Sequence, residues 1–273
     1  MKISEKQILS DDRGMRVIRM RISARHIGPK ARPGQFVVVM TGEEGERIPL
    51  TIVESDQQSI TIIFQEAGLT TKLLGKLEPG DSVYALAGPL GHATEIKDYG
   101  KVILVAGGVG IAEIYPVAKA LKAAGNQVTV ILGARTKELL ILEQELKGQA
   151  DAFYVATDDG SYGRKGFTTD VLKELLAKEQ YSLVYAVGPI PMMQKVAGAA
   201  KDSKVRAVVS LNALMVDATG MCGCCRVSVG GETKFSCVDG PEFDAGLVDW
   251  DELTKRNRIY LEKEKHICKL NLR

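Results

Sequence analysis

The stretch Lys101-Val-Ile-Leu-Val-Ala-Gly107-Gly108-Val-Gly110-Ile-Ala-Glu113-Ile-Tyr-Pro116 decides how the middle of this chain folds. After Lys101 comes an uninterrupted apolar run, which is typical of a buried parallel strand. Three glycines follow within four residues, and a helical pattern then continues to Ala124. Because glycines let the backbone approach a phosphate and a helix start offers free N–H groups, this order predicts a strand, a phosphate-binding loop and a helix.

The residues after this unit repeat the alternation of strand and helix. Strand-like runs begin at Gln127, Ala152 and Ser182, and a helical pattern covers 169–177. This alternation predicts a doubly wound α/β sheet of parallel strands over residues 98–204, whose ligands bind at the carboxyl ends of the strands. The predicted dinucleotide site consists of Gly107, Gly108, Gly110, Ile111, Ala134, Arg135, Asp158, Gly188 and Pro189.

The kind of nicotinamide dinucleotide stays open on these residues. No acidic residue closes the second strand, where an acceptor for the ribose 2′-hydroxyl would stand. Arg135 and Thr136 follow that strand instead and could receive a 2′-phosphate.

Short β-prone runs separated by glycine and proline make up residues 1–97. They begin at Arg16, Gln35, Leu50, Ser59 and Ser82. Strands at this even spacing predict a small closed β-barrel.

Two segments of the predicted barrel suit a pyrophosphate. Arg47-Ile-Pro49-Leu50-Thr51 places a cation, a rigid turn and a hydroxyl at the entrance to a strand, and Gly68-Leu-Thr70-Thr71-Lys72 opens a helical stretch. The free N–H groups and hydroxyls at a helix start can bind a phosphate, and Arg47 would add a charge-assisted hydrogen bond. The alternatives are that Arg47 is a surface cation and that Thr70 only caps the helix.

The remaining region, residues 205–273, contains the loop Asp217-Ala-Thr-Gly-Met-Cys222-Gly-Cys224-Cys225 and, further on, Cys237. Asp217, Cys222, Cys225 and Cys237 are separated by four, two and eleven residues. This is the plant-type spacing of a 2Fe-2S site, with an aspartate in the first place. These four residues are the predicted cluster ligands.

A glycine pair, Gly230-Gly231, lies between two short β-prone runs and predicts a hairpin that carries Cys237 back to the loop. A zinc site, a disulfide pair and ordinary buried cysteines are the alternative interpretations of the cysteines. Cys224 and Cys268 are predicted to ligate nothing.

The composition excludes some classes of function. Lys plus Arg number 36 against 34 for Asp plus Glu, so no strong field attracts nucleic acid or an anionic membrane. No run approaches eighteen apolar residues, and the N-terminus has no apolar targeting core. We therefore expect a cytoplasmic protein whose clustered cysteines bind metal in a reducing compartment.

The segment 47–51 and the helix start at Gly68 resemble the flavin-binding domain of the ferredoxin-NADP reductase superfamily. Gly-Gly-x-Gly, Leu-Gly-Ala-Arg-Thr, Thr157-Asp-Asp-Gly160 and Val-Gly-Pro are similar to the nicotinamide domain of that superfamily. Met-Cys-Gly-Cys-Cys-Arg-Val, Phe-Ser-Cys-Val-Asp-Gly-Pro-Glu-Phe and Leu-Val-Asp-Trp resemble the small subunits of NADH-dependent reduced ferredoxin:NADP oxidoreductases, also described as sulfide dehydrogenase beta subunits. The electron-transfer subunit of dihydroorotate dehydrogenase has the same plan with four cysteines.

The resemblance implies three domains, 1–97 for FAD, 98–204 for NAD(P) and 205–273 for the 2Fe-2S cluster, with a preference for NAD(H). It implies that FAD contacts Arg47, Pro49, Leu50, Thr51, Gln65, Glu66, Gly68, Thr70 and Thr71. It also implies a heterodimer with a larger flavoprotein subunit similar to the glutamate synthase small chain, in which electron bifurcation couples NADH, NADPH and ferredoxin.

Such an electron relay needs no catalytic side chain, because the chemistry belongs to the cofactors. Accordingly, the three histidines, His26, His92 and His266, are predicted to be structural or on the surface. Three other functions stay open: a dihydroorotate dehydrogenase electron-transfer subunit, a stand-alone ferredoxin reductase, and a zinc-stabilised binding module without redox activity.

Overall fold

A computed structural model describes residues 1–12 and 14–270, although the side chains of 265 and 267–270 lie outside the description. The prediction for Cys268 therefore falls outside the described residues. The strands are β1 Ile3–Asp12, β2 Met15–Ser23, β3 Phe36–Met40, β4 Ile48–Ser55, β5 Ser59–Gln65, β6 Ala85–Leu90, β7 Lys101–Gly107, β8 Gln127–Ala134, β9 Ala152–Thr157, β10 Arg164–Lys165, β11 Leu183–Val187, β12 Arg206–Ser210, β13 Arg226–Val229, β14 Glu232–Phe235 and β15 Glu242–Asp244. The helices are α1 Leu69–Lys76, α2 Ile111–Ala123, α3 Glu143–Lys147, α4 Thr168–Lys178, α5 Ile190–Asp202, α6 Trp250–Arg256 and α7 Leu261–Leu270.

The chain forms two compact units. The first contains residues 1–92, 213–241 and 249 onward, and the second contains 93–212 and 242–248. The segment that holds the predicted cluster ligands thus groups with the N-terminal strands. The three domain boundaries drawn from the sequence stay a prediction.

The first unit is built on a six-stranded antiparallel sheet in the order β1-β2-β5-β4-β3-β6. A bridge between Lys2 and Ser82, and the bond from Ile3 N–H to the Asp81 carbonyl (2.9 Å), join the start of β1 to the segment before β6. Because this joins the two edges of the sheet, the predicted barrel is confirmed. Alternate side chains of β2 and β5 fill its centre, among them Ile18, Met20 and Ile62.

The second unit is a seven-stranded sheet in the order β10-β9-β8-β7-β11-β12-β15. All its pairings are parallel except that of β15, which runs antiparallel to β12. The chain moves outward from β7 to β9 and then returns to place β11 beside β7. This confirms the doubly wound fold and puts the reversal of strand order between β7 and β11.

Among the described residues, no helix is long and apolar enough to cross a membrane.

Candidate cofactor sites

The predicted hairpin is present and brings two cysteines together. Gly230 and Gly231 join β13 to β14 with φ of 61° and 82°, the two positive values that a tight two-residue hairpin turn requires. Ser236 N–H then donates to the Cys225 carbonyl (3.0 Å), which continues the pairing beyond the strands. The Sγ atoms of Cys225 and Cys237 consequently lie 3.3 Å apart, and each residue is only 2% exposed.

The other two predicted ligands, Asp217 and Cys222, form a second pair at the surface. Asp217 Oδ1 accepts hydrogen bonds from Thr219 N–H (2.8 Å) and from the Thr219 hydroxyl (3.0 Å). These bonds, a further bond from the Cys222 thiol and the nearby charge of Arg47 hold the pKa of Asp217 below its ordinary value. The carboxylate is therefore ionised at neutral pH and can serve as an anionic ligand.

The Cys225 and Cys237 pair favours the protonated thiol when no metal is bound. Burial, together with the hydrogen bond and the charge of Cys225, raises the pKa of Cys237 to about 12. Metal ligation needs thiolates, so loading a metal here must release protons. The buried hydroxyl of Ser236, next to Cys237 in the chain, has no hydrogen-bond partner among the described residues.

Taken together, the four predicted ligands form two pairs. Among the side chains that the structure describes, no three of His, Cys, Asp or Glu are grouped so that they could hold one metal ion. Cys224 N–H approaches Cys222 Sγ at 3.5 Å, and burial raises the pKa of the Cys224 thiol.

The loop between Cys222 and Cys225 is held through its backbone by two arginines. Arg226 Nη1 donates to the Gly223 carbonyl (3.2 Å), and Arg256 Nη2 donates to the Cys224 carbonyl (3.0 Å). Sequence reasoning missed Arg256, because it lies more than thirty residues after the loop in a helix that reads as merely charged.

The two predicted flavin segments meet at the start of α1. The Thr70 hydroxyl donates to Glu46 Oε2 (2.5 Å), which places the residue before Arg47 against the first turn of the helix. Thr71 Oγ1 accepts from the N–H of the N-cap residue Gly68 (3.0 Å), so Thr71, and not Thr70, makes the capping-box bond at the helix start. Arg47 is exposed and precedes β4 directly.

The other residues predicted to contact FAD lie on β4 and at the end of β5. Pro49, Leu50 and Thr51 pair with Val38, Val37 and Phe36 of β3. Gln65 is half-buried at the end of β5.

The Glu66 carboxylate, also predicted to contact FAD, is engaged by another side chain. Glu66 is buried and accepts two bonds of 2.6 Å from Arg16. A Cβ at Gly75 would lie 2.0 Å from Glu66 Oε1, so the glycine makes room for this carboxylate. The pair fixes the corner between β5 and α1.

The carboxyl ends of four neighbouring strands carry the predicted dinucleotide residues. Strands β9, β8, β7 and β11 are adjacent and parallel, so the structure brings Asp158, Arg135, Gly107 and Gly188 to one edge of the sheet. The Asp158 N–H donates to the Ala134 carbonyl (3.1 Å), and both Asp158 and Arg135 are exposed.

The glycine loops flank the point where the strand order reverses. A Cβ at Gly110 would lie 2.9 Å from the Val187 carbonyl oxygen, and one at Gly188 would lie 3.1 Å from Gly107 N, so the loops need glycine in order to pack. Gly108 faces open space and has a φ of 59°. The exposed Pro189 caps α5, whereas the Ile111 side chain is fully buried and its N–H bonds the Gly108 and Val109 carbonyls. Ile111 therefore presents no side chain to a ligand.

A buried acid near the same edge of the sheet was not predicted. Glu242 Oε1 accepts from the Thr94 hydroxyl (2.5 Å) and from the Tyr185 hydroxyl (2.8 Å), and burial raises the pKa of Glu242. Burial also raises the pKa of Tyr185 well above its ordinary value. The antiparallel pairing of β15 with β12 places Glu242 here, and no local sequence pattern predicts that pairing.

Comparisons with known proteins match the segment with the predicted cluster ligands and the predicted dinucleotide-binding domain. A family model described as the iron-sulfur cluster binding domain of dihydroorotate dehydrogenase B matches residues 212–249, and the oxidoreductase NAD-binding domain matches residues 104–198. A ferredoxin-NADP+ reductase of Plasmodium falciparum, 16% identical, has a similar fold with a TM-score of 0.61, covering 76% of this chain and 94% of that one. The fold and the two matched domains define an oxidoreductase of the ferredoxin-reductase type that transfers electrons.

Closer relatives identify the family. The electron transfer subunit homolog of dihydroorotate dehydrogenase B (NAD(+)) from Thermotoga maritima is 49% identical over 246 residues, which cover 89% of this chain and 87% of the relative. A solved chain of an NADH-dependent reduced ferredoxin-NADP oxidoreductase, described for flavin-based electron bifurcation, is 45% identical with a TM-score of 0.92, covering 99% of this chain and 97% of that one.

The chain belongs to the family of dihydroorotate dehydrogenase B electron transfer subunits and their homologues. The comparisons confirm the resemblance, the fold, the oxidoreductase class and the predicted cofactor set of FAD, a 2Fe-2S cluster and NAD(H). They also imply a partner subunit, because these relatives are subunits by name.

Proposed function

We propose that this chain is the small subunit of a bifurcating ferredoxin:NADP oxidoreductase and passes electrons between NAD(P)H, FAD and a 2Fe-2S cluster. The single observation that carries the proposal is that the flavin segment at residues 47–51 and the cluster loop at residues 217–225 fold into one compact unit. A flavin site and a cluster loop within one unit suit electron transfer between their two cofactors.

The residues present fit the cluster. Each iron of a 2Fe-2S cluster takes two protein ligands, and the chain offers Asp217 with Cys222 and, separately, Cys225 with Cys237. A zinc ion would instead need its ligands in one group. The buried, unpartnered Ser236 hydroxyl beside Cys237 is a donor suited to a sulfur acceptor.

The residues also fit the two organic cofactors. Arg47, Gly68 and Thr70 would hold the FAD pyrophosphate, since Thr70 and Glu46 tie the Arg47 segment to the helix start. Gly108, with open space above it, would let the backbone approach the dinucleotide phosphates. When bound, the flavin supplies the conversion between the two-electron chemistry of NAD(P)H and the one-electron chemistry of the cluster.

The partner in this proposal is a larger flavoprotein subunit similar to the glutamate synthase small chain, and ferredoxin reacts through the complex. The support is the similarity over 97% of the solved chain, which comes from a protein described by its bifurcation. The cytoplasmic location is part of the same proposal.

The cofactor assignment is tested by purifying the chain without air. We expect a yellow-brown protein with bound flavin and two irons per chain, and an electron paramagnetic resonance signal after reduction. Asp217→Cys is expected to keep the iron but change this signal. Asp202→Cys, an exposed site at the end of α5, serves as the control and should match the unmodified protein. A colourless, iron-free protein would refute the cofactor assignment, and an unchanged signal for Asp217→Cys would exclude Asp217 as a ligand.

The 49% identity to the Thermotoga homolog also favours a second candidate, the electron-transfer subunit of a dihydroorotate dehydrogenase. Purification of the native complex separates the two. The first function requires a co-purifying flavoprotein and NADPH-dependent reduction of both NAD+ and ferredoxin. The second requires dihydroorotate-dependent reduction of NAD+.

A further inference from the structure

Helix α6 is fixed against the hairpin that carries the cluster ligands. Asp249 N–H donates to the Ser228 carbonyl of β13 (2.8 Å), and Asp249 Oδ1 caps the helix by accepting from Glu252 N–H (2.9 Å). Leu253, one turn further on, is 1% exposed. The helix therefore has a defined direction relative to the cluster loop.

The C-terminal end of α6 contacts the cluster loop before Asp217 and after Cys222. Asn257 Oδ1 accepts from Leu214 N–H (3.2 Å), ahead of Asp217, and Arg256 Nη2 donates to the Cys224 carbonyl (3.0 Å). Two consecutive residues at the end of the helix thus hold backbone groups on either side of Asp217 and Cys222.

Besides Nη2, the Arg256 guanidinium has a second hydrogen-bond donor, Nε. Its Nε is buried and has no hydrogen-bond partner among the described residues. A buried, unpaired donor on a charged group costs free energy unless an acceptor satisfies it.

We infer that Arg256 is a positioning residue for the cluster, which holds the loop at the Cys224 carbonyl and offers its buried Nε–H and its charge to the cluster sulfurs. This inference rests on the proposed function. Three thiolates and one carboxylate give the site four negative charges, and each added electron increases that charge. Arg256 is half-buried, and a cation partly shielded from solvent stabilises the reduced form more than the oxidised form and raises the reduction potential.

Arg226 provides an internal comparison. It holds the neighbouring carbonyl of Gly223 but is exposed to solvent, where water and salt screen its charge. Removing the charge of Arg226 should therefore change the potential less than removing that of Arg256, although both residues hold the same loop.

The test is a reductive titration of the full chain, purified without air and followed by the electron paramagnetic resonance signal of the cluster. The variants are Arg256→Gln, Arg256→Lys, Arg226→Gln and, as the matched control on the same helix, the exposed Lys255→Gln. We expect a midpoint shifted to more negative potential in Arg256→Gln, smaller shifts in Arg256→Lys and Arg226→Gln, and none in Lys255→Gln.

Each outcome decides the proposal. An iron-loaded Arg256→Gln protein with the midpoint of Lys255→Gln would overturn it. If Arg256→Gln purifies without iron, the midpoint of Arg256→Lys is compared with that of Lys255→Gln instead, and equal midpoints overturn the proposal. Loss of iron from both Arg256 variants would show that Arg256 only supports the loop, and this result would also overturn the proposal. Iron content separates the two claims, since an iron-free unmodified protein refutes the cluster itself, whereas equal midpoints in iron-loaded proteins refute only the role of Arg256.

Discussion

The ion pair between Arg16 and Glu66 is predicted to stabilise the corner of the barrel that carries the flavin segment. The Glu66 side chain is 5% exposed and the Arg16 side chain is 31% exposed. Replacing Arg16 with Met leaves a buried carboxylate without its cation. Removing one partner of a buried pair costs about 3–5 kcal/mol, and because Arg16 is partly exposed we expect the lower end, about 3 kcal/mol.

The same strand supplies the control. Arg19, three residues further along β2, pairs with Glu54, and their side chains are 31% and 38% exposed. The two arginines are equally exposed and only their partners differ, so Arg19→Met should cost less than about 1 kcal/mol. The difference between the two variants isolates the burial of the carboxylate.

The assay is urea unfolding at pH 7, from which the free energy of unfolding is obtained for each variant. Flavin content is a second measurement, because Glu66 stands two residues before Gly68 and a loosened corner should retain less flavin. Adding Glu66→Leu to Arg16→Met should restore part of the lost stability, since no buried charge is then left. Equal losses for Arg16→Met and Arg19→Met would refute the reasoning.

Three further changes have defined outcomes. Burial raises the pKa of Glu242, so the stability of the unmodified protein is highest below the unfolded pKa and falls as pH rises through the folded pKa. The free energy of unfolding of Glu242→Gln should therefore increase relative to that of the unmodified protein as pH rises above about 4.3, by about 1.4 kcal/mol for every unit by which the folded pKa exceeds the unfolded one. A difference in urea unfolding that does not change with pH would contradict this. Gly110→Ala places a Cβ 2.9 Å from the Val187 carbonyl oxygen, so it should weaken NADH binding and lower the unfolding midpoint. An unchanged NADH affinity in calorimetry would exclude a role of this loop in binding the dinucleotide. Thr71→Val removes the capping-box bond to Gly68 N–H and should cost about 1 kcal/mol in the same urea assay, while a neutral result would show that this bond does not stabilise the helix start.

Much of the fold could be predicted because its signals are local. The apolar run 102–106, the glycines after it and the helix to Ala123 lie next to one another in the chain, and the glycine pair at 230–231 is itself the turn that it predicts. Strand β1 was missed, since it is an edge strand with mostly exposed side chains, and the predicted strand at Ser82 begins only at Ala85. Helix α5 was also missed, although its buried positions Met193, Val196, Ala197 and Ala200 follow a helical spacing.

The cofactor set could be predicted from the residues alone, because cysteine spacing and phosphate-loop glycines are properties of neighbouring positions. The groups that surround the predicted sites became visible only in the folded chain. Arg256 reaches the Cys224 carbonyl across 32 positions, Arg16 reaches Glu66 across 50, and Tyr185 reaches Glu242 across 57. Such pairings depend on how sheets and helices pack, and the packing energy is spread over many apolar contacts that no single segment encodes.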